Sequence, residues 1–245
     1  MLSGWPFKSQ IRRMQNQAGK FTYFPLSAQA EYRSRSFGRR AGGGPVLTSG
    51  ETLNRAASTA FPLVTIVTPS LNAGRFIEET IQSVLSQDYH PVEYLIIDGG
   101  STDGTCEIAS RYGGRLHFES GPDSGQAAAL NSGFAMAGGQ LFGYLNADDV
   151  YRPGTISAIV EASRRYPAAG VIYGEADWID ECSRIIGRYP TAAYDFNRFE
   201  EECFICQPAA FLRRDVFEAL NGLNAGLHFA LVTIFGSGRG VVFLS

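Results

Sequence analysis

From Leu63 onward the sequence alternates between short β-branched apolar runs and segments whose apolar residues recur every three to four positions, and few folds accept that pattern. LVTIVT (63–68) reads as a strand buried on both faces and closed by Pro69. After SLNAG, the pairs Phe76/Ile77, Thr80/Ile81 and Val84/Leu85 recur every four residues, with Glu78, Glu79, Gln82, Ser83 and Gln87 between them, which predicts an amphipathic helix. VEYLIID (92–98) predicts a second strand, 102–112 a second helix, RLHFES (115–120) a third strand, 125–137 a third helix stopped by Gly138-Gly139, and LFGYLN (141–146) a fourth strand. Strands and helices alternating at this spacing imply right-handed crossovers and a parallel sheet, whose ligands gather at the carboxyl ends of the strands.

Three of those ends carry polar loops: Thr68-Pro69-Ser70-Leu71-Asn72, then Asp98-Gly99-Gly100-Ser101-Thr102-Asp103-Gly104, then Asn146-Ala147-Asp148-Asp149. Glycine lets backbone N–H groups approach a ligand, and an Asp at a strand end accepts from a ribose or a base edge; an ordinary Asp/Gly turn explains DGGSTDGT equally well. The glycines do not follow the first strand, which disfavours a nicotinamide dehydrogenase. No glycine-rich loop carries a Lys, and no Lys occurs after Lys20, which excludes a phosphate-loop NTPase. Asp148-Asp149, as oxygen ligands beside a diphosphate, suits Mg²⁺ or Mn²⁺; an isolated Asp-Asp is usually a solvated turn or a helix cap, so its place after the fourth strand is what gives it weight.

Charge divides the chain. Residues 1–60 carry nine Lys/Arg and two Glu, whereas 61–245 carry twelve Arg and 22 Asp/Glu. The first part, with RSRSFGRRAGGGP (33–45) and no sustained apolar period, is read as a basic, flexible N-terminal arm: a solvated tail or an early start codon, rather than a nucleic-acid or membrane contact. No run approaches the roughly 18 apolar residues of a membrane span, and MLSGWPFKSQIRRMQNQ lacks the apolar core of a signal peptide. Four Cys, at 106, 182, 203 and 206, suit a reducing compartment. The expectation is a cytoplasmic protein, at most peripheral at the inner face of a membrane.

Five segments, VTIVTPSLNAGRFIEETIQSVLSQDY, VEYLIIDGGSTDGT, GPDSGQAAALNSGFAMAGGQLFGYLNADDVYRPG, GVIYGEADWID and CFICQPAAFLRRDVFEALNGLNAGLHFA, follow one another over residues 62–230. In that order and spacing they resemble a family 2 glycosyltransferase. The resemblance implies an α/β fold, GT-A, with a Rossmann-like, mostly parallel central sheet flanked by helices and here C-terminally truncated: a 61–230 domain followed by an aberrant tail, 231–245. It implies transfer of a sugar from a nucleotide-diphosphate donor to an acceptor hydroxyl with inversion, in polysaccharide or cell-surface glycan synthesis, with a glycan or lipid-linked acceptor and Mn²⁺ or Mg²⁺ as cofactor. By position, Thr68, Ser70 and Asn72 would line the nucleotide pocket, Asp98, Ser101 and Asp103 would hold base and ribose, and Gln126 and Asn131 would face the donor from the side. Asn146-Ala147-Asp148 stands at the family's acidic metal motif, with Asp148 the ligand and Asp149 its neighbour. Asn146 replaces a carboxylate there, and an amide still hydrogen-bonds a ribose.

Inversion needs a base to take the acceptor proton. The resemblance puts that base in an acidic pair just past Ala230, yet residues 231–245 hold no Asp, Glu or His, as a frameshift or a truncated gene would leave it. Losing such a base costs roughly 10²- to 10⁴-fold in rate, and the alternative function is a catalytically dead nucleotide-sugar binder. His228, in an apolar run, reads as a packing or surface residue. Cys203 and Cys206 read as buried thiols, and the segment with Gln207 and Pro208 as wall on the acceptor side. Asp177, Trp178 and Asp180, in an edge hairpin, are open to two readings, sugar stacking or core packing.

Overall fold

The computed structural model describes residues 61–195, 198 and 202–223, together with the backbone of three short strands at 13–16, 21–24 and 240–244. The elements in chain order are β1 (Arg13–Asn16), β2 (Phe21–Phe24), β3 (Val64–Ser70), α1 (Ile77–Leu85), β4 (Val92–Asp98), α2 (Thr105–Ser110), β5 (His117–Ser120), α3 (Gln126–Met136), β6 (Leu141–Tyr144), β7 (Val150–Tyr151), α4 (Thr155–Arg165), β8 (Ala169–Gly174), β9 (Ala176–Ile179), β10 (Ile185–Arg188), β11 (Ala210–Arg213), α5 (Arg214–Ala219) and β12 (Gly240–Leu244). Sequence reading placed no element before Leu63. The other residues of 1–60 lie outside the described residues. So do 224–239, which include His228 and the positions past Ala230 where the resemblance expects a base.

The main sheet has the order β2-β12-β8-β11-β6-β3-β4-β5. Strands β6, β3, β4 and β5 are mutually parallel, and β11 runs antiparallel between β6 and β8. A smaller sheet has the order β10-β9-β1-β7. The expected α/β architecture, a mostly parallel central sheet flanked by helices, is present.

Two apolar layers follow from side-chain alternation on the buried strands. Val67, Leu95, Ile97 and Phe142 face α3 and α5, where Leu130, Phe134, Val216 and Phe217 join them. Ile66, Tyr94, Ile96 and Leu141 face the other way, toward Ile77, Ile81, Ala109, Ile156 and Ile159 of α1, α2 and α4. Gly133 lets α3 come close to the sheet, because a Cβ there would lie 2.5 Å from Val67 Cγ1.

Helix bounds move inward from those predicted. The segment 102–104 is loop because the Asp103 carboxylate accepts from Thr105 N and Oγ1, competing with helical bonding, and Gly104 takes φ 92° before α2 begins. Among the described residues, no helix is long and apolar enough to cross a membrane.

Candidate functional site

Register brings the strand ends level. Ser70 pairs with Asp98, and Asp98 with Ser120, so three side chains stand in a row across the carboxyl edge of β3, β4 and β5. Asp98, 2% exposed, organises this edge. It accepts from Ser101 N at 2.8 Å, Gly100 N at 3.1 Å, Ser120 Oγ at 2.8 Å and Ser101 Oγ. Burial works to raise its pKa, and the hydrogen bonds, led by those of Ser101, outweigh it and hold the carboxyl below its ordinary value.

The loop after β3 is laced to the loop after β4. Asn72, with φ 50°, accepts on Oδ1 from Thr102 N at 2.9 Å, while its own N–H donates to Ser101 Oγ at 2.7 Å. Gly74 N donates to Asp103 Oδ2 at 2.9 Å, and Ala73 N to Thr105 Oγ1. Asp103 is held below its ordinary pKa first by the Thr105 hydroxyl. Thus Ser70, Asn72, Asp98, Ser101 and Asp103 do come together. Ser70 Oγ is buried with no hydrogen-bond partner, an orphaned polar atom at the end of β3.

The third strand end carries carboxamides. Gln126 Nε2, at the start of α3, donates to Asn146 Oδ1 at 2.6 Å. Asn146 Nδ2 donates to Asp149 Oδ2 and to Gln207 Oε1, both at 2.9 Å. Asp149 is 3% exposed and accepts on its backbone oxygen from Thr80 Oγ1, whereas Asp148 is half-buried in the turn. Sequence reading took Gln207 for wall; the structure puts its amide on Asn146, a contact across 61 residues that no local pattern signals. Asp123 also went unremarked. It accepts from Gly125 N at 2.8 Å and lies so close to Gly99 that a Cβ there would be 3.2 Å from its carboxylate.

Two of the expected residues stand apart. Thr68 is fully buried, its hydroxyl 3.1 Å from Tyr94 Oη inside the core. Asn131 clamps the chain after α5: Leu223 N donates to its Oδ1 at 2.8 Å, and its Nδ2 donates to Leu223 O at 2.9 Å. On the hairpin, Trp178 packs edge-on against Tyr189, its ring centroid 6.0 Å away, and Asp177 pairs with Arg152 and Arg188. Asp180 accepts from the backbone of Cys182 and Arg184, closing the hairpin turn. Cys203 and Cys206 are free thiols; Cys206 is buried as expected, but Cys203 is exposed. A cavity bounded by Val84, Tyr89, His90, Tyr94 and Arg115 opens near the start of β4, at the far end of the sheet.

Among the described residues, no three His, Cys, Asp or Glu side chains are grouped to enclose a metal ion. Asp148, half-buried in the turn after β6, carries the hard oxygen donor that a divalent cation takes when its other ligands arrive with a diphosphate and water.

Comparison with known proteins identifies the family and the fold. A family model described as glycosyl transferase family 2 matches residues 65–220. An uncharacterized glycosyltransferase of Nostoc sp. is 30% identical over 132 residues, covering 52% of this chain and 41% of that protein. A PGL/p-HBAD biosynthesis glycosyltransferase of Mycobacterium tuberculosis is 29% identical over 170 residues, covering 67% of this chain and 64% of that protein. Across such relatives the chain spans from 19% to 64% of their length. Among solved structures, a mannosyltransferase from Pyrobaculum calidifontis in complex with GDP-Man and Mn²⁺ superposes with a TM-score of 0.56 at 20% identity, covering 75% of this chain and 55% of that one. S. aureus TarS in complex with UDP-GlcNAc gives 0.61 at 15% identity, covering 74% of this chain and 56% of the other. These neighbours share the GT-A fold. With the family model covering more than half its length, the chain belongs to glycosyl transferase family 2.

Proposed function

We propose that this chain binds a nucleotide-diphosphate sugar at the carboxyl edge of β3, β4 and β6 and transfers the sugar, with inversion, to an acceptor hydroxyl of a glycan or a lipid-linked glycan. The observation that carries the reading is the buried, unpartnered Ser70 hydroxyl among three converging polar strand ends. Ser70, Asn72, Ser101 and Asp103 border the nucleotide, and Gln126 and Asn146 border the sugar side. Asp98 holds the β4 loop from beneath, whereas Thr68 and Asn131 are engaged by Tyr94 and Leu223. Asp148 holds the divalent cation, with Asp149 behind it. A Mn²⁺ or Mg²⁺ ion bound there supplies positive charge opposite the leaving diphosphate. Asp98, fixed by its hydrogen bonds, keeps the β4 loop shaped before the donor arrives, so little ordering is needed on binding. Pathway and acceptor follow the family: polysaccharide or cell-surface glycan synthesis, reached from the cytoplasm or from the inner membrane face.

A second reading is a donor binder without turnover. Release of nucleoside diphosphate from UDP- and GDP-sugars, measured with Mn²⁺ and then with excess chelator, separates the two. Chelator-sensitive release supports the transferase; tight donor binding with no release supports the binder.

A further inference from the structure

The resemblance puts base and ribose on Asp98, Ser101 and Asp103, yet the fold has already engaged all three. Both oxygens of Asp98 accept, from Gly100, Ser101 and Ser120, and the residue is 2% exposed. The Ser101 hydroxyl donates to Asp98 while accepting from Asn72 N. Asp103 accepts from Thr105 on one oxygen and from Gly74 N on the other.

The loop after β5 brings a different carboxylate to the same edge. Gly121 N donates to Asp98 O at 3.0 Å, so residues 121–125 start against the end of β4. They then run to α3, whose first side chain, Gln126, reaches Asn146. Asp123 lies exposed on that path. Its Oδ1 accepts from Gly125 N at 2.8 Å, and its Oδ2 has no hydrogen-bond partner among the described residues. Gly99 leaves room for this carboxylate, because a Cβ there would lie 3.2 Å from Oδ2. Neighbouring strands stand about 4.8 Å apart, which puts the end of β4 roughly 10 Å along the edge from the end of β6. With the diphosphate at the β6 turn, the base falls farthest along this edge, at β4 and β5.

We propose that Asp123 reads the nucleobase, accepting its ring N–H, and so selects a uracil or guanine nucleotide over a cytosine or adenine one. The proposal rests on the reading of the cleft as a nucleoside-diphosphate site and names the class of donor that it takes. Uracil and guanine carry a hydrogen on the ring nitrogen of the pairing edge; cytosine and adenine carry a lone pair there, which a carboxylate repels.

The test is a calorimetric titration of UDP, CDP, GDP, ADP and inorganic pyrophosphate, all with Mn²⁺, on the wild type and Asp123→Asn, with thermal unfolding of both. In Asp123→Asn the side-chain oxygen still accepts from Gly125 N, so the loop keeps its bond while an NH₂ donor replaces the free oxygen. The wild type is expected to bind UDP at least about tenfold tighter than CDP, or GDP at least about tenfold tighter than ADP, as a hydrogen bond to a charged group gives. In Asp123→Asn that ratio falls to within about threefold of unity or inverts, while pyrophosphate, which has no base, binds as it does to the wild type. If the variant does not fold, Asp123→Ser, whose hydroxyl can accept from the same N–H, takes its place with the same expectation. A wild type without this preference, a preference that survives the substitution, or an equal loss for pyrophosphate overturns the proposal alone. A wild type that binds none of the four nucleotides overturns the reading of the cleft, and the proposal with it.

Discussion

Asp98 is a carboxylate whose charged form the fold has already solvated with backbone and hydroxyl donors. Its pKa is lower in the folded chain than the ordinary value, so it contributes stability at neutral pH that is lost as pH falls through its folded pKa. Asp98→Asn is therefore expected to cost roughly 1.5–3 kcal/mol near neutrality, the value of hydrogen bonds to a charged group. The gap from wild type should close as the solution is acidified, read as midpoint temperature against pH; a gap of constant size would contradict the assignment. Sequence marked Asp98 as a site residue but not what it touches, because its partner Ser120 belongs to another strand and meets it only through register. Gln207 was harder still. Its meaning lies in one amide contact across 61 residues, and a polar residue beside Pro208 gives no periodic sign of it. Asn131 shows the converse, a polar residue on a helix beside the cleft that is engaged with the backbone of Leu223.

The elements from β3 to β6 were legible because β3, β4 and β6 are mostly buried runs and α1 has a clean apolar stripe, although β5, at the edge of the sheet, is largely exposed. What was not legible was how the ends trim and which short strands join. Asp103 shortens α2 by side-chain bonding, and β1 and β2, four residues each, are too short to show a period. Packing of α3 on the sheet gives a prediction at this scale. Gly133→Ala gains helix propensity, yet its Cβ would meet Val67 Cγ1 at 2.5 Å and Ile97 Cγ1 at 3.3 Å, within a core that includes Phe134 stacked on Phe142 with centroids 4.8 Å apart. A net loss of about 1–3 kcal/mol by urea unfolding is expected from overpacking. A neutral or stabilising result would show that α3 sits less tightly than described.

Over the whole molecule, strand order and register place Ser70, Asp98 and the end of β6 at one edge, and helices pack on both faces of the sheet that carries it. This is why a chain that spans only part of its relatives is expected to retain the donor half of the site: the β3, β4 and β6 ends and α3 all lie within residues 64–151. Asp148→Ala tests that claim without touching the core, since Asp148 stands in the turn while Asp149 is buried behind it. The decisive measurement is the calorimetric affinity of the wild type and of Asp148→Ala for UDP and GDP, each with Mn²⁺ and with chelator. The account predicts that the wild type binds one of the two nucleotides at least about tenfold tighter with Mn²⁺, as expected where a carboxylate and a diphosphate share the ion, and that Asp148→Ala folds normally but loses this difference. Affinity that ignores both Mn²⁺ and the substitution would contradict it.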